Sequence, residues 1–203
     1  MYWDGYEGWV PHNQVHLIEK EVYSKTTAST PQISTDLINY ITDENNLIFP
    51  IILGSDLSGV KTINHVFEGQ TQAGGKDKGL LIKTAYMYLN TPYLWGGRSP
   101  MGIDCSGFTQ MVYKINGIPL KRDASQQAQE GETLSFIEES EAGDLAFFDD
   151  KEGKITHVGL LLEKNHIIHA HGSVRIDQID QTGIFNSETK THSHKLRMIK
   201  KMI

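Results

Sequence analysis

The pattern of apolar and polar positions predicts helices in the middle of the chain. Residues 80–89 have the apolar spacing of a helix, and Pro92 follows shortly after them. A second set of apolar residues has the spacing i, i+3, i+4 and i+7, which marks one face of a helix: Phe108, Met111, Val112 and Ile115. Asn116-Gly117 supplies a typical C-terminal stop for this helix. Farther along, Asp123 and Gln126 predict a capping box that opens a short third helix.

The second half of the chain is predicted to form a sheet. Strand-like runs occupy residues 144–148, 155–162, 166–171 and 174–179, and a weaker run occupies residues 196–203. These runs follow the helices instead of alternating with them. We therefore expect an α+β fold with an antiparallel sheet.

The first 75 residues have a different pattern, which predicts a β-rich region. Aromatic residues surround Asp4-Gly5, Val15 and Leu17 alternate with polar neighbours, and residues 46–52 are strand-like. The segment GGKDKG at residues 74–79 has the composition of a linker. We therefore expect two domains, at residues 1–75 and 76–203.

Charge and composition argue against several classes of function. The 203 residues carry a formal net charge of −6 and contain no Lys/Arg-rich run, so nucleic-acid binding is not expected. No apolar stretch approaches the roughly 18 residues that a membrane helix needs, so no membrane partner is expected. The N-terminal segment lacks the basic start and apolar core of a signal peptide. This predicts a cytoplasmic location, or export if the true N-terminus lies upstream.

The single cysteine, Cys105, is the candidate nucleophile. One cysteine excludes an intramolecular disulfide and a cysteine-based zinc cluster. Cys105 lies at the start of the second predicted helix, where unpaired N–H groups and the helix dipole favour the thiolate. We therefore expect a lowered cysteine pKa and an oxyanion site beside the sulfur. Position 105 also continues the apolar face backwards from Phe108, so its position alone leaves a structural role open.

Histidines on two neighbouring strand-like runs are the candidate bases. His157 lies in an otherwise apolar run, and from a strand it could face Cys105. His169 lies in the next run, where it could bind the second ring nitrogen of His157 and set its tautomer. His171 falls on the same strand face as His169 and is a rival for that role. A metal site built from these three histidines is a further reading, although no familiar zinc motif is present.

Two later histidines suggest no further site. His192 and His194 lie in a polar segment near the end of the chain, and we expect both side chains to be exposed to solvent.

Six short motifs occur in a fixed order within about residues 80–185. They are PYLWGG at 92–97, GIDCSG at 102–107, RDASQQ at 122–127, GDLAFF at 143–148, THVG at 156–159 and IHAHG at 168–172. Together they closely resemble the NlpC-type family of papain-like bacterial cell-wall peptidases. The resemblance implies a papain-like catalytic domain in which a helix bearing the cysteine packs on an antiparallel sheet. It also implies a catalytic triad of Cys105, His157 and His169, and so favours His169 over His171.

The N-terminal segment GYEGWV resembles the closing strands of a bacterial SH3-like barrel. Too few residues precede Glu21 for a complete barrel, so residues 1–75 are interpreted as an SH3-like region that is incomplete at its N-terminus. Family members with such barrels look like γ-D-glutamyl-L-diamino acid endopeptidases of the dipeptidyl-peptidase VI type. Those enzymes cut short murein peptides that have a free N-terminal L-alanine.

The same resemblance implies a substrate-binding pocket beside the cysteine. In these relatives the ammonium of the alanine is held by positions that fall on Asp104, Ser106 and Tyr6. Tyr93 matches a further pocket tyrosine, and Trp95 in the same motif is assigned to substrate binding with it. A buried ammonium needs a carboxylate and several oxygen acceptors, which this set of residues would provide.

The resemblance therefore implies a cysteine peptidase that hydrolyses the γ-D-glutamyl-L-diamino acid bond of murein peptides and needs no cofactor. A nearer alternative is an exported D,L-endopeptidase or amidase that acts on intact peptidoglycan. A more distant one is a non-catalytic muropeptide-binding protein. The sequence leaves open whether the diamino acid is diaminopimelate or lysine, and it leaves the oligomeric state open.

Overall fold

A computed structural model describes residues 4–5, 7–75 and 77–203. The α-helices in these residues are α1 (Lys20–Ala28), α2 (Lys78–Met87), α3 (Cys105–Ile115) and α4 (Ala124–Gln127). Short 3-10 turns occupy His12–Gln14, Val60–Ile63 and Ile137–Glu139. The strands are β1 (Ile33–Ser34), β2 (Ile38–Thr42), β3 (Ile48–Ile52), β4 (Thr71–Gln72), β5 (Arg98–Ser99), β6 (Gly102–Ile103), β7 (Glu132–Leu134), β8 (Leu145–Asp149), β9 (Ile155–Leu162), β10 (His166–His171), β11 (Ser173–Ile179), β12 (Gly183–Asn186) and β13 (Thr191–Lys201).

Six of the later strands close into an antiparallel barrel. The strand order is β12-β11-β10-β9-β8-β13-β7, and β12 also pairs with β13, which closes a ring of six and leaves β7 on its outside. Alternate side chains along the strands fall into two buried clusters, as the period of two in a strand requires. The cluster inside the barrel contains Ala146, Phe148, Leu161, Ile167, Ile179, Ile184 and Ile199.

Helix α3 packs on the outside of this barrel, against β9 and β10, and also contacts α2. Its apolar face joins Val158, Leu160 and Ile168 in the second buried cluster. Asp104 caps the start of the helix by accepting the N–H of Gly107 at 2.7 Å. The predicted helix and its packing on an antiparallel sheet are thereby confirmed.

The stop signal of α3 is also confirmed. The helix ends at Ile115 with Asn116 as its C-cap, and Gly117 adopts the left-handed conformation with φ = +78°. A Cβ at Gly117 would lie 3.0 Å from the Cα of Gly74, so the turn and the preceding linker need both glycines.

Among the described residues up to 75, regular structure is limited to α1, two 3-10 turns and the short strands β1–β4. The predicted strand near residue 50 is confirmed as β3, which pairs with β2. The β-structure expected around Val15 and Leu17 is wrong: the described residues before Ile33 form no strand. Both side chains are exposed, and within the described ranges no strand pairs with this segment to satisfy its backbone hydrogen bonds. The SH3-like assignment therefore stays a prediction, as does the division into two domains.

Residues from this first region nevertheless contribute to the main core. Ile33 and Leu53 are buried in the same cluster as the apolar face of α3. The Nζ of Lys114 in α3 donates to the carbonyl oxygen of Gly54 at 3.0 Å. The N-terminal region thus packs directly on the cysteine-bearing helix and helps to hold that helix in place against the barrel.

Candidate active site

Cys105 is the first residue of α3 and is buried, with 7% of its surface exposed. Its thiol donates to the carbonyl oxygen of Thr156 at 4.0 Å, and the backbone N–H of Val158 is directed to the sulfur. The β9–β10 ladder ends at the pair Gly159–His169 and does not include Val158, the residue that precedes Gly159. Because the two strands separate there, the start of α3 can place the sulfur against the backbone on both sides of His157.

The expected lowering of the Cys105 pKa is wrong. Burial raises the pKa of the thiol to about 11, and the nearby Asp104 carboxylate adds to the effect. The N–H groups of Val158, Ser106 and Cys105 itself lower this pKa, as expected at a helix N-terminus, but desolvation outweighs them. The resting group is therefore a neutral thiol, and an attack by this sulfur needs a base.

His157 and His169 are brought together on β9 and β10. Nε2 of His157 and Nδ1 of His169 are 2.8 Å apart, and both rings are buried. The ring of His171 is farther away, with its centroid 6.4 Å from that of His157. Within the part of the chain that the structure describes, no hydrogen bond joins Cys105 to the His157 ring. Such contacts are often long in the absence of substrate.

The environment of His157 keeps the ring neutral. Burial lowers its pKa well below the usual histidine value, and the neighbouring His169, His194 and His171 lower it further. A neutral imidazole has a free lone pair, so it can accept a proton from the thiol. The charge states of the two side chains therefore suit a general-base step.

His194 is placed differently from the expectation that it is exposed. Its ring is half-buried and stacks on His157, with 4.1 Å between ring centroids and 25° between planes. Burial, followed by His169 and His171, lowers the pKa of His194 to about 4. His194 reaches this position because β13 closes the barrel beside β8. His192 is exposed as expected, and its Nε2 lies 3.0 Å from a carboxylate oxygen of Asp180.

The predicted substrate-binding residues line one cleft of about 540 Å³ that contains Cys105. Those described in the structure are Tyr93, Trp95, Asp104 and Ser106. Tyr93 is half-buried, whereas Trp95 is 86% exposed on the rim. Tyr6, which was predicted for the same pocket, lies outside the described residues.

Asp104 and Arg122 form a buried ion pair in the floor of this cleft. Oδ1 of Asp104 accepts from the N–H of Gly107 and from Nη1 of Arg122 at 3.0 Å. Oδ2 accepts from the N–H of Gly96 at 2.8 Å and from Nη2 of Arg122 at 2.5 Å. Nη1 of Arg122 also donates to Oγ of Ser106 at 3.0 Å. The cleft thus contains a cation that neutralises the predicted ammonium-binding carboxylate.

Sequence reasoning assigned no role to four residues near the site. Arg122 was visible only as the first residue of its motif, and Asp177 only as an acidic residue in a strand. His194 required the closed barrel. Asp4 is buried against Arg98, whose side chain lines the cleft, and Nε2 of Gln110 donates to it at 3.3 Å.

The structure also bears on metals and membranes. Among residues 4–5, 7–75 and 77–203, no group of three or more His, Cys, Asp or Glu side chains is arranged to hold a metal ion. In the same residues, no helix combines the length and the apolar character needed to span a membrane.

A model of a known protein family matches the part of the chain that carries the active-site motifs. A model of the NlpC/P60 family matches residues 90–194, which is just over half of the chain and includes Cys105, His157 and His169. The chain belongs to the NlpC/P60 family. This assignment confirms the family predicted from the motifs.

Two curated members of the NlpC/P60 family show the extent of the similarity. The γ-D-glutamyl-L-lysine dipeptidyl-peptidase of Bacillus subtilis (strain 168) is 44% identical over 92 residues, which make up 44% of this chain and 31% of that protein. Dipeptidyl-peptidase 6 of Lysinibacillus sphaericus is 32% identical over 169 residues, or 79% of this chain and 53% of that protein. The chain therefore spans between about a third and about half of the length of these relatives.

A solved structure of the family supports the fold beyond the matched domain. An NlpC/P60 family protein from Bacillus cereus ATCC 10987 superposes with a TM-score of 0.74 at 22% identity. The superposition covers 98% of this chain and 70% of that one. The likeness shows that this chain and the B. cereus protein share a fold over nearly the full length of this chain.

Proposed function

We propose that this chain is a papain-like cysteine peptidase that hydrolyses the γ-D-glutamyl-L-diamino acid bond of murein peptides with a free N-terminal L-alanine. The observation that carries the proposal is the position of the Cys105 thiol against the backbone that flanks His157, whose ring is hydrogen-bonded to His169. A nucleophile, a base and a group that orients the base are the parts that acyl transfer requires. No cofactor is needed for this chemistry.

The reaction begins with a proton transfer, because Cys105 is a neutral thiol at rest. His157 takes the thiol proton as the sulfur forms a bond to the γ-carbonyl carbon of D-glutamate, with the Cys105 N–H at the oxyanion. The bond from this carbon to the amine of the diamino acid then breaks, and protonated His157 returns the proton to the departing amine. Water, activated by the same ring, hydrolyses the thioester and restores the thiol.

The charges of the cleft suit one end of such a peptide. L-Ala-γ-D-Glu carries an ammonium on its alanine and a free α-carboxylate on its glutamate. The cleft offers Asp104 and Ser106 to the ammonium and Arg122 to the carboxylate. Because Arg122 already occupies both oxygens of Asp104, a bound ammonium must displace at least one of these contacts. Tyr6 is proposed as a further ligand, while Tyr93 and the exposed Trp95 border the bound peptide.

The names of two relatives support this substrate. The B. subtilis and L. sphaericus proteins carry dipeptidyl-peptidase names, and the first name specifies a γ-D-glutamyl-L-lysine bond. We include lysine and diaminopimelate as possible diamino acids of the substrate. The cytoplasmic location stays a prediction from the sequence.

The proposal is tested with L-Ala-γ-D-Glu-diaminopimelate and the same peptide acetylated at its N-terminus, each followed by mass spectrometry. We expect release of L-Ala-γ-D-Glu from the free-amine peptide and no cleavage of the acetylated peptide. The lysine peptide, run in parallel, identifies the preferred diamino acid. Cleavage of neither peptide would contradict the proposed activity.

The same assay separates the alternative of an endopeptidase on intact peptidoglycan. Probable endopeptidase p60 of Listeria welshimeri is 41% identical to this chain over 106 residues, which supports keeping this alternative. An endopeptidase of that kind would cleave the acetylated peptide as readily as the free one. In that case the cysteine chemistry would stand and the amino-terminal specificity would not.

A further inference from the structure

A chain of buried polar contacts extends behind the proposed base and ends on β11. Nε2 of His169 lies 3.0 Å from Oδ2 of Asp177, while its Nδ1 meets His157. Arg175 donates to both carboxylate oxygens of Asp177, from Nε at 2.7 Å and from Nη2 at 3.0 Å. The side chains of His169 and Asp177 are 1% and 5% exposed. Four side chains therefore form one connected network.

The register of β10 and β11 builds this network. His169 lies opposite Arg175, so Asp177 is its diagonal neighbour two residues along the same strand face. This spacing lets Arg175 and His169 reach the same carboxylate.

The protonation of His169 follows from its partner. Desolvation raises the pKa of Asp177, but the hydrogen bonds from His169 and Arg175 outweigh it and leave the pKa below its usual value. An ionised carboxylate only accepts hydrogen bonds, so the proton between the two residues is on Nε2 of His169. Burial lowers the pKa of His169 despite the opposing effect of Asp177, so this ring is neutral. A neutral ring with a proton on Nε2 has a lone pair on Nδ1.

The protonation of His157 follows in the same way. Because Nδ1 of His169 is an acceptor, the proton in the 2.8 Å contact is on Nε2 of His157. The His157 ring is itself neutral, so its Nδ1 carries the lone pair. A single carboxylate therefore sets the tautomers of two histidines in sequence.

We infer that Asp177, supported by Arg175, is a positioning residue that makes Nδ1 of His157 the nitrogen that takes the Cys105 proton. The inference rests on the proposed function for its catalytic meaning, but the tautomers are a property of the resting protein. When Nδ1 accepts the thiol proton, Nε2 keeps its proton and its bond to His169. The positive charge on the imidazolium is then stabilised by the Asp177 carboxylate through His169, and no proton has to move along the network.

Other groups that face His157 do not provide this orientation. From β13, His194 stacks on the ring, and its own Nδ1 lies 2.8 Å from Oγ of Ser193. From β10, the His171 ring is exposed and lies edge-on with its centroid 6.4 Å away. From β8, Phe148 is apolar. Beyond Arg175, the exposed Glu188 lies 3.6 Å from Nη2 and adds an outer charge.

The tautomers can be measured directly on the full chain by long-range ¹H–¹⁵N correlation of ¹⁵N-labelled histidine at neutral pH. We expect His157 and His169 both to carry their proton on Nε2, with unprotonated Nδ1 atoms. A resting His157 with its proton on Nδ1 would overturn the inference, whatever the enzyme cleaves. This measurement does not depend on activity, so it remains decisive if the proposed substrate is not cleaved.

The catalytic consequence is tested by Asp177→Asn, which keeps the size of the side chain and removes the charge. The amide can donate to Nε2 of His169, which reverses both tautomers. We expect kcat to fall by about 10² to 10⁴-fold with KM little changed. The acid limb of the kcat/KM profile should also move to lower pH, because His157 and His169 lose a stabilising negative charge. A purely structural defect would leave that limb in place.

Two further variants keep the test informative if Asp177→Asn is poorly folded. Arg175→Gln leaves the carboxylate in place, so we expect unchanged tautomers and a loss in kcat of no more than about tenfold. Asp180→Asn is the matched control, since Asp180 also pairs with a histidine, His192, but on the exposed surface. It should change kcat by less than about twofold. Equal losses in Asp180→Asn and Asp177→Asn would refute a specific role for Asp177.

Discussion

On the cleft side of Cys105, Asp104 and Arg122 form a fully charged pair tied to the backbone at Gly96 and Gly107. On the barrel side, His157 and His169 are neutral rings. Asp104 and Arg122 line the cleft, whereas His157 and His169 are not among the residues that line it. Binding a charged peptide needs fixed charges, and proton transfer needs groups that can change charge. The two sides of the cysteine supply these separately.

This comparison also explains the state of Cys105. The sulfur is buried beside a carboxylate, so its pKa rises to about 11. The backbone N–H groups at the sulfur do not offset this burial, and no unpaired cation assists them, because Arg122 is paired with Asp104 and the His157 ring is neutral. In the proposed reaction, the thiolate therefore forms only as the substrate carbonyl is attacked.

The largest effect on kcat is expected from replacing Cys105, which lies between the charged pair and the histidines. Cys105→Ala should lower kcat by at least about 10⁴-fold, because no other group in the cleft can form the thioester. The fold should persist, since alanine is small and suits a helix start. The rate of murein-peptide cleavage and the far-UV circular dichroism spectrum check both parts. Substantial activity in the purified variant would rule out the assigned nucleophile.

The charged pair is tested by Asp104→Asn, which can still cap α3 but leaves Arg122 without a buried counter-ion. We expect the free energy of unfolding to fall by about 3–5 kcal/mol and KM to rise. Urea denaturation and steady-state kinetics measure these effects.

A surface ion pair provides the control for that variant. Glu141 binds Lys78 but is 62% exposed, so Glu141→Gln should leave stability nearly unchanged. The double replacement Asp104→Asn with Arg122→Met keeps the cap of α3 and removes the unpaired buried charge, so it should recover much of the lost stability without restoring KM. If Asp104→Asn were no less stable than Glu141→Gln, the ion pair would have no structural role.

The buried histidines predict a smaller effect, namely a change in the free energy of unfolding with pH. The folded pKa values of His157, His169 and His194 are lowered from 6.5, the last to about 4. Below pH 6.5 the unfolded chain therefore binds protons that the folded chain does not, and stability falls as pH falls towards 4. Each unit of pKa displacement is worth about 1.4 kcal/mol for a fully buried group. Urea denaturation at pH 7.5, 5.5 and 4.5 measures the slope.

Variants of the two histidines on β13 sharpen that measurement. His194→Gln should flatten the dependence, because it removes a half-buried ring that resists protonation. His192→Gln changes an exposed ring on the same strand and should leave the dependence as it is. A slope that both variants leave unaltered would show that His194 is not its source.

Helix α3 and several strands of the barrel were predictable, because the sequence patterns that indicate them extend over only a few neighbouring residues. The apolar spacing of residues 108–115 identified α3, and the runs at 155–162 and 166–171 match β9 and β10 in full. By contrast, the weak run at 196–203 covers only the last six residues of the eleven-residue strand β13 and extends beyond its end, and β12 was not predicted. Strands β12 and β13 close the barrel by pairing with each other, and β13 also pairs with β8, which is distant in the sequence. Their polar residues weaken the apolar pattern by which a strand is predicted.

The family, the helix that carries the cysteine and the candidate residues Cys105, His157 and His169 were all predictable from the sequence, because periodicity and motif spacing act over short distances. The protonation states of these residues depend on the folded chain. Burial raised the pKa of the thiol against the effect of the helix N-terminus, barrel closure brought His194 onto the base, and strand register joined His169 to Asp177. Desolvation and contacts between distant strands depend on the whole folded chain, and no local pattern contains them.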